Sequence, residues 1–401
     1  LVAVGDITRA ADRLQDIIHR TELTSSRTLS ELSGTDVYLK PENVQRTGSF
    51  KIRGAYNFVA SLDPVSGCPG VVAASAGNHA QGVAYAAARA GLASTVVMPV
   101  RTPISKVAAT RSYGADVRLH GAIFDDCYEL ARRIESDTGA VFIHAFDDER
   151  VIAGAGTVGR EIITDLPDVD AIVVPVGGGG LISGIAVAAA ALKPETRIIG
   201  VEAEGAACVT RSLRARRRCT VEAGETIADG ISVKIPGELP FSIIRRYVHD
   251  VVTVDDDEIA SAVLLLLQRG KMVAEGAGAA SVAALLHDRA GLRGDKVAAV
   301  ISGGNIDVNF ISRIIDKGLV KNGMRARLTT VVPDRPGSLQ QLLRIVADCG
   351  ANVLSVDHDR LDVGVPLRDV EVDFALETRG QDHVREVVES LQSRGYAVTV
   401  K

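Results

Sequence analysis

The chain has 401 residues, 46% hydrophobic and 24% charged, with 39 glycines. This is an ordinary globular composition, long enough for two or three domains. Its net charge of −5 argues against a protein that mainly binds nucleic acid. Cys68, Cys127, Cys208, Cys219 and Cys349 are odd in number, irregularly spaced and without a CxxC. That pattern argues against a disulfide framework or a cysteine zinc site and points to reduced thiols in a cytoplasmic protein. No basic-then-apolar segment opens the chain, and apolar runs such as 185–192 are too short for a bilayer. No membrane or nucleic-acid partner is expected.

Asp6 is expected to cap a first helix, because Ile7, Ala10, Ala11, Leu14, Ile17 and Ile18 follow at helical spacing. Strands are expected at 71–74, 95–98, 117–119, 141–144, 171–176, 198–201 and 297–301. Helices alternate with them, one over 80–90 stopped at Gly91 and another opening near Pro103. Short apolar strands alternating with helices predict a parallel sheet covered on both faces, with ligands beyond the carboxyl ends of the strands. Arg211, Arg214, Arg216, Arg217 and Arg218 lie on a polar connection without aromatics and read as a solvated face. After about Lys321 the pattern changes. A strand over 325–332, a turn over 333–337, a helix through Leu339, Leu342, Leu343 and Val346, strands over 353–361 and 370–378, a helix over 383–391 and a strand over 396–401 follow. The order βαββαβ is the ferredoxin-like unit. Domains of 1–322 and 323–401 are therefore expected.

Three expected strands end in loops with chemical content. Before them, Thr47-Gly48-Ser49-Phe50-Lys51-Ile52-Arg53-Gly54 puts one lysine beside an aromatic ring and between glycines. Desolvation there would lower the amine's pKa, and a neutral amine condenses with an aldehyde. A lysine snorkelling to the surface at a helix start also fits the tract. Gly177-Gly178-Gly179-Gly180 follows a strand and precedes a helix. Four glycines free successive N–H groups to face one anion, and phosphate is the natural guest. No Lys-Ser/Thr follows, so this is not a Walker loop. Gly154-Ala155-Gly156-Thr157-Val158-Gly159 matches GxGxxG, but charged Asp147-Asp148-Glu149-Arg150 precedes it where a dinucleotide site needs a buried strand. It reads as close packing around a helix start.

In Ser75-Ala76-Gly77-Asn78-His79 the Asn78 amide suits a phenolic oxygen, and the neighbouring N–H groups suit a carboxylate. His79 alone reads as structural. In Ser302-Gly303-Gly304-Asn305 the serine is either a cap or the partner of a ring nitrogen. A neutral partner leaves a pyridine nitrogen largely unprotonated. A phosphate cradle, an amine, an amide and a hydroxyl on separate loops converge on pyridoxal 5'-phosphate.

At these residues, and at Ala228-Asp229-Gly230, the chain resembles the fold-type II pyridoxal-phosphate family. Its resemblance is greatest to the threonine dehydratase (threonine ammonia-lyase) group with a C-terminal ACT domain, and it spans essentially the whole chain. The resemblance implies two open, mostly parallel α/β subdomains with the active site between them, the smaller covering about residues 52–150, and a ferredoxin-like ACT domain. It implies that Lys51 holds the cofactor and acts as general base, and that Phe50 packs on the ring. Asn78 would contact the phenolic oxygen, and Ser302 the ring nitrogen. Gly177, Gly178, Gly179, Gly180 and the Leu181 N–H would hold the phosphate. Ser75, Ala76, Gly77, Asn78 and His79 would receive the substrate carboxylate. Glu275 matches a family glutamate near the ring, and a structural ion pair is its other reading.

The implied reaction is loss of water and ammonia from L-threonine to give 2-oxobutanoate, with L-serine giving pyruvate, in isoleucine biosynthesis or threonine catabolism. Asp334, Arg335, Pro336, Gly337, Ser338 and Leu339 match the ACT ligand turn. This implies a homo-oligomer controlled by an amino acid such as isoleucine or valine; the other reading is a domain that only mediates assembly. Serine racemase has a serine where Ala76 stands, so racemisation is disfavoured. Glu202 and the Ala206 carbonyl match the racemase cation site, but Cys208 replaces an aspartate. Hard cations prefer oxygen, so no tight metal is expected. A serine or hydroxyaspartate dehydratase, or an amino-acid sensor on an inactive scaffold, are the competing readings.

Overall fold

Short apolar strands alternating with helices fold into two separate parallel sheets. The computed structural model describes residues 2–62, 67–222, 224–360 and 364–401. The larger sheet runs in the order Thr24–Ser25, Asp36–Pro41, Lys296–Ile301, Ala171–Pro175, Arg197–Ala203, Asp250–Val254. Every pair is parallel except the first, where Thr24 faces Leu39. The smaller sheet runs Asp116–Leu119, Ser94–Met98, Val71–Ala74, Val141–Phe142 and is parallel throughout. Val71–Ala74 and Ala171–Pro175 are buried at every residue, as strands covered on both faces must be. Each buried valine or isoleucine contributes about 1.5–3 kcal/mol, so helix packing rather than strand length holds these short strands.

The helices Glu149–Asp165 and Gly180–Leu192 approach to backbone contact. A Cβ on Gly184 would lie 2.4 Å from the Ile152 carbonyl oxygen and 2.5 Å from the Gly156 nitrogen. A Cβ on Gly154 would lie 2.3 Å from the Arg53 carbonyl oxygen. The 154–159 glycines thus serve packing, but inside a helix rather than at its start. Beneath them, Arg53 donates to both oxygens of Glu42 and of Glu161, and Lys40 donates to Glu161 at 2.6 Å. Arg53, Lys40 and Glu42 are all fully buried.

Several elements depart from expectation. The first helix is Val4–Leu14, and its N-cap is Ala3 rather than Asp6. The Asp6 carboxylate accepts the Ala3 N–H at 2.9 Å from within the first turn. Left-handed Asp16, with φ 63°, turns the chain away before Ile17 and Ile18. The strand expected over 141–144 is confined to Val141–Phe142, and the one over 396–401 to Val398–Val400. Asp36–Pro41 and Asp250–Val254 are strands that the pattern does not mark.

The chain divides into two compact units, Leu1–Asp307 and Val308–Lys401. The division falls before residue 323, because the helix Val308–Lys321 groups with the second unit. In that unit Arg325–Pro333, Asn352–Asp359, Asp369–Glu377 and Val398–Val400 alternate with Ser338–Asp348 and Gln381–Gln392 in the order βαββαβ. Its antiparallel sheet runs Asn352–Asp359, Asp369–Glu377, Arg325–Pro333, Val398–Val400. Leu328, Leu342, Phe374 and Leu391 belong to the core beneath its helices. Leu361, the expected end of one strand, lies outside the described residues. No described helix is long and apolar enough to cross a membrane.

Candidate active site

Lys51 opens the helix Lys51–Ala60, with Phe50 as its N-cap. A helix start carries partial positive charge and disfavours a second one. The Lys51 Nζ donates to the Ala145 carbonyl at 2.9 Å and sits 5.1 Å from the Phe50 ring centroid. Burial lowers its pKa to about 8, against the opposing pull of Glu275. The amine is therefore partly neutral near physiological pH and can act as a nucleophile. The lowered pKa and the bond to Ala145 favour the desolvated lysine over the snorkelling one.

Backbone bonds stitch the lysine loop to the 302–305 loop. The Phe50 N–H donates to the Ser302 carbonyl at 3.1 Å, and the Gly304 N–H to the Gly48 carbonyl at 2.9 Å. The Glu275 N–H donates to the Gly303 carbonyl at 3.1 Å. Gly48 is left-handed, with φ +72°, and a Cβ there would lie 2.3 Å from Asn305 Oδ1. Ser302 is thereby buried beside the lysine helix.

Asn78 begins the helix Asn78–Arg89 just past the strand Val71–Ala74. Its Nδ2 donates to Glu275 Oε1 at 2.6 Å, and its Oδ1 accepts from Asn305 Nδ2 at 2.8 Å. Burial and then Asp229 push the Glu275 carboxyl up to about 7, while the Asn78 bond opposes them. Among the described residues Glu275 forms no ion pair, and its partner is the Asn78 amide. The His79 ring is buried and its Nε2 bonds the Ile143 carbonyl at 2.9 Å. Burial and then Lys51 push it down to about 3, so it is neutral. The Gly77 N–H donates to Ser75 Oγ at 3.3 Å, and a Cβ on Gly77 would meet nothing within 4 Å. The 75–77 loop therefore borders open space.

The four glycines join the strand Ala171–Pro175 to the helix Gly180–Leu192, with Gly179 as a left-handed N-cap at φ +94°. The Phe146 ring covers the loop so closely that a Cβ on Gly178 would lie 2.4 Å from its Cζ. Among the described residues the N–H groups of Gly178, Gly179, Gly180 and Leu181 have no protein acceptor. An arc of unpaired N–H groups at a helix start is a site for a phosphate.

A sequence profile described as "Pyridoxal-phosphate dependent enzyme" matches residues 14–303. The chain belongs to this family. An L-threonine ammonia-lyase of Thermotoga maritima is 53% identical over 400 residues, 100% of each chain. The structure of threonine deaminase isoform 2 from Solanum lycopersicum is similar with a TM-score of 0.74 and 36% identity, covering 78% of this chain and 87% of that one. The structure of maize serine racemase is similar with a TM-score of 0.75 and 35% identity, covering 80% of this chain and 98% of that one. The fold is that of a fold-type II pyridoxal-phosphate enzyme, and its cofactor is pyridoxal phosphate. A depressed amine and an unpaired amide arc fit an aldehyde carrying a phosphate arm.

Some parts of this pyridoxal-phosphate enzyme carry no motif that marks them. The Ala145 carbonyl that holds Lys51 and the Phe146 ring over the glycines follow the strand Val141–Phe142. The rule that ligands gather at carboxyl ends of parallel strands is the signal that would find both. Asn305 ends the 302–305 loop, and its bond to Asn78 is visible only in the fold. Glu202 accepts the Val209 and Thr210 N–H groups at 2.7 and 2.8 Å. Its carboxyl group thus caps the helix Cys208–Ala215. Cys208 is buried, and burial followed by Glu202 pushes its thiol up to about 12. No group of three or more His, Cys, Asp or Glu that could hold a metal occurs among the described residues.

Proposed function

We propose that this enzyme is an L-threonine ammonia-lyase, forming 2-oxobutanoate and ammonia, and that it also converts L-serine to pyruvate. The observation that carries the reading is the Lys51 amine, depressed to about 8 and bonded to the Ala145 carbonyl, next in the chain to the Phe146 ring that covers the glycine loop. The full-length similarity to the Thermotoga maritima L-threonine ammonia-lyase supports the choice of substrate. When bound, pyridoxal phosphate supplies an aldehyde for the substrate amine and a conjugated ring that accepts the electron pair left at Cα.

The protein's groups do the rest. Lys51 would hold the cofactor through its aldehyde and would serve as the base that takes the substrate's Cα proton; an amine near 8 suits a base at neutral pH. The amides of Gly177, Gly178, Gly179, Gly180 and Leu181 would hold the phosphate. Phe50 would pack on the ring, Asn78 would donate to its phenolic oxygen, and the Ser302 hydroxyl would meet its nitrogen. A neutral Ser302 would leave that nitrogen largely unprotonated, which would favour elimination over transamination. Glu275 accepts from Asn78 and would lie near the ring. The amides of Ser75, Ala76, Gly77, Asn78 and His79 receive the substrate carboxylate; His79 serves through its backbone, because its ring is tied to Ile143. Ala76 offers no acid or base on the second face of Cα, so this reading is elimination rather than racemisation, despite the likeness to maize serine racemase.

The second unit is proposed as an ACT domain. Gly337, at φ +92°, caps the helix Ser338–Asp348, and Asp334 pairs with Arg360 at 3.0 Å beside it. The turn from Asp334 to Leu339 is proposed to bind isoleucine or valine in a homo-oligomer. Five free cysteines support a cytoplasmic enzyme. Steady-state formation of 2-oxobutanoate, with and without isoleucine and valine, tests the reading. If kcat/KM on serine or 3-hydroxyaspartate exceeds that on threonine by about tenfold, the substrate choice is wrong.

A further inference from the structure

Asn305 Nδ2 donates both to the Thr47 carbonyl and to Asn78 Oδ1, each at 2.8 Å. A carbonyl only accepts, so the Thr47 end fixes which way the Asn305 amide points. Its second N–H then requires an acceptor at Asn78. That turns Asn78 Oδ1 toward Asn305 and Asn78 Nδ2 toward Glu275 Oε1, 2.6 Å away. Reversing the Asn78 amide would set N–H against N–H at Asn305 and oxygen against oxygen at Glu275. Both bonds would be lost, leaving part-buried amide groups and the buried Glu275 carboxyl unpaired. The lysine loop is itself shaped around Asn305, because left-handed Gly48 leaves the room that Oδ1 fills.

We propose that Asn305 is a positioning residue that acts through Asn78, holding its amide so that an N–H rather than an oxygen is presented to the pyridoxal-phosphate ring. The proposal rests on the reading of Asn78 as the partner of the phenolic oxygen. A donated N–H stabilises negative charge on that oxygen and weakens its hold on a proton; an amide oxygen would do the reverse.

Asn305→Asp keeps the size and shape of the side chain but removes both donors. Asn78 must then turn its N–H groups toward the new carboxylate. Asn305→Ala removes the partner without reversing it. Both variants, Asn78→Ala and the two double variants are compared with wild type. Two readouts are independent of turnover: the dissociation constant of pyridoxal phosphate by fluorescence titration, and the pH midpoint of the bound cofactor's visible band. Asn305→Asp is expected to weaken cofactor binding by about tenfold and to raise the midpoint by about one pH unit. Asn305→Ala should move both the same way, by less. In the Asn78→Ala background neither change should shift the midpoint further. A midpoint unmoved in both single Asn305 variants, while Asn78→Ala moves it, overturns the proposal alone. An equal shift with and without Asn78 also overturns it, by showing a general structural effect. A midpoint unmoved in Asn78→Ala overturns the reading of Asn78 and this proposal with it.

Discussion

A buried amine is costly to keep charged, and Lys51 carries that cost in the protein without cofactor. Its pKa falls from the ordinary lysine value of 10.5 to about 8 in the fold. Below about pH 8 both folded and unfolded chains carry the proton, and the penalty is present in full. Between 8 and 10.5 only the unfolded chain stays protonated, so stability rises with pH until the penalty disappears. Lys51→Met should therefore stabilise the cofactor-free protein at pH 7, by up to about 3 kcal/mol. The gain should shrink toward pH 10.5, and thermal melts across that range check it. Glu275 opposes the depression of Lys51. In Glu275→Gln the amine should titrate at a lower pH. The rate at which cofactor-free protein takes up pyridoxal phosphate follows the neutral amine. Its midpoint should lie near 8 in wild type and move to more acid pH in the variant; a move to alkaline pH would contradict the assigned field.

At the scale of elements, the loops were more legible than what supports them. The tetraglycine turn and the strand Val71–Ala74 announced themselves, because four glycines after a strand mark a turn of bare backbone and a doubly covered strand needs apolar residues throughout. Asp36–Pro41 did not, because Lys40 and Pro41 look like loop residues. Only the fold shows that Lys40 is neutralised by Glu161 from 121 positions away. The same holds for Arg53, which lies inside the lysine motif yet faces Glu42 and Glu161 beneath it. This network ties the turn at Glu42, the lysine helix and the helix Glu149–Asp165 together. Arg53→Met would strand the buried Glu42 carboxylate and leave Glu161 to Lys40 alone, and should cost about 3–5 kcal/mol. Arg53→Lys should recover only part of that, because an ammonium cannot make the paired guanidinium bonds. Chemical denaturation of the two variants checks the order; equal stability of wild type and Arg53→Met would show that the network is replaceable.

Across the whole molecule, the sequence order βαββαβ was readable from alternation alone, and the observed antiparallel sheet has that order. The position of the division was not, because nothing in the pattern of the helix Val308–Lys321 says with which unit it groups. The proposed control by the second unit would be a coupling between two binding sites. An effector that changes substrate affinity by a factor of about 5–150 carries a coupling of about 1–3 kcal/mol, and substrate must change effector affinity by the same factor. Gly337→Ala tests whether the turn at residues 334–339 is where that effector binds. A Cβ there meets no neighbour within 4 Å, so the change acts only through the left-handed backbone at φ +92°, at a cost of about 1–2 kcal/mol. The variant should keep kcat/KM on threonine in the absence of effector. It should need at least about fivefold more isoleucine or valine for half the effect seen in wild type. If wild type responds to neither amino acid, the second unit serves assembly rather than control. If Gly337→Ala responds as wild type does, the effector binds elsewhere than at this turn.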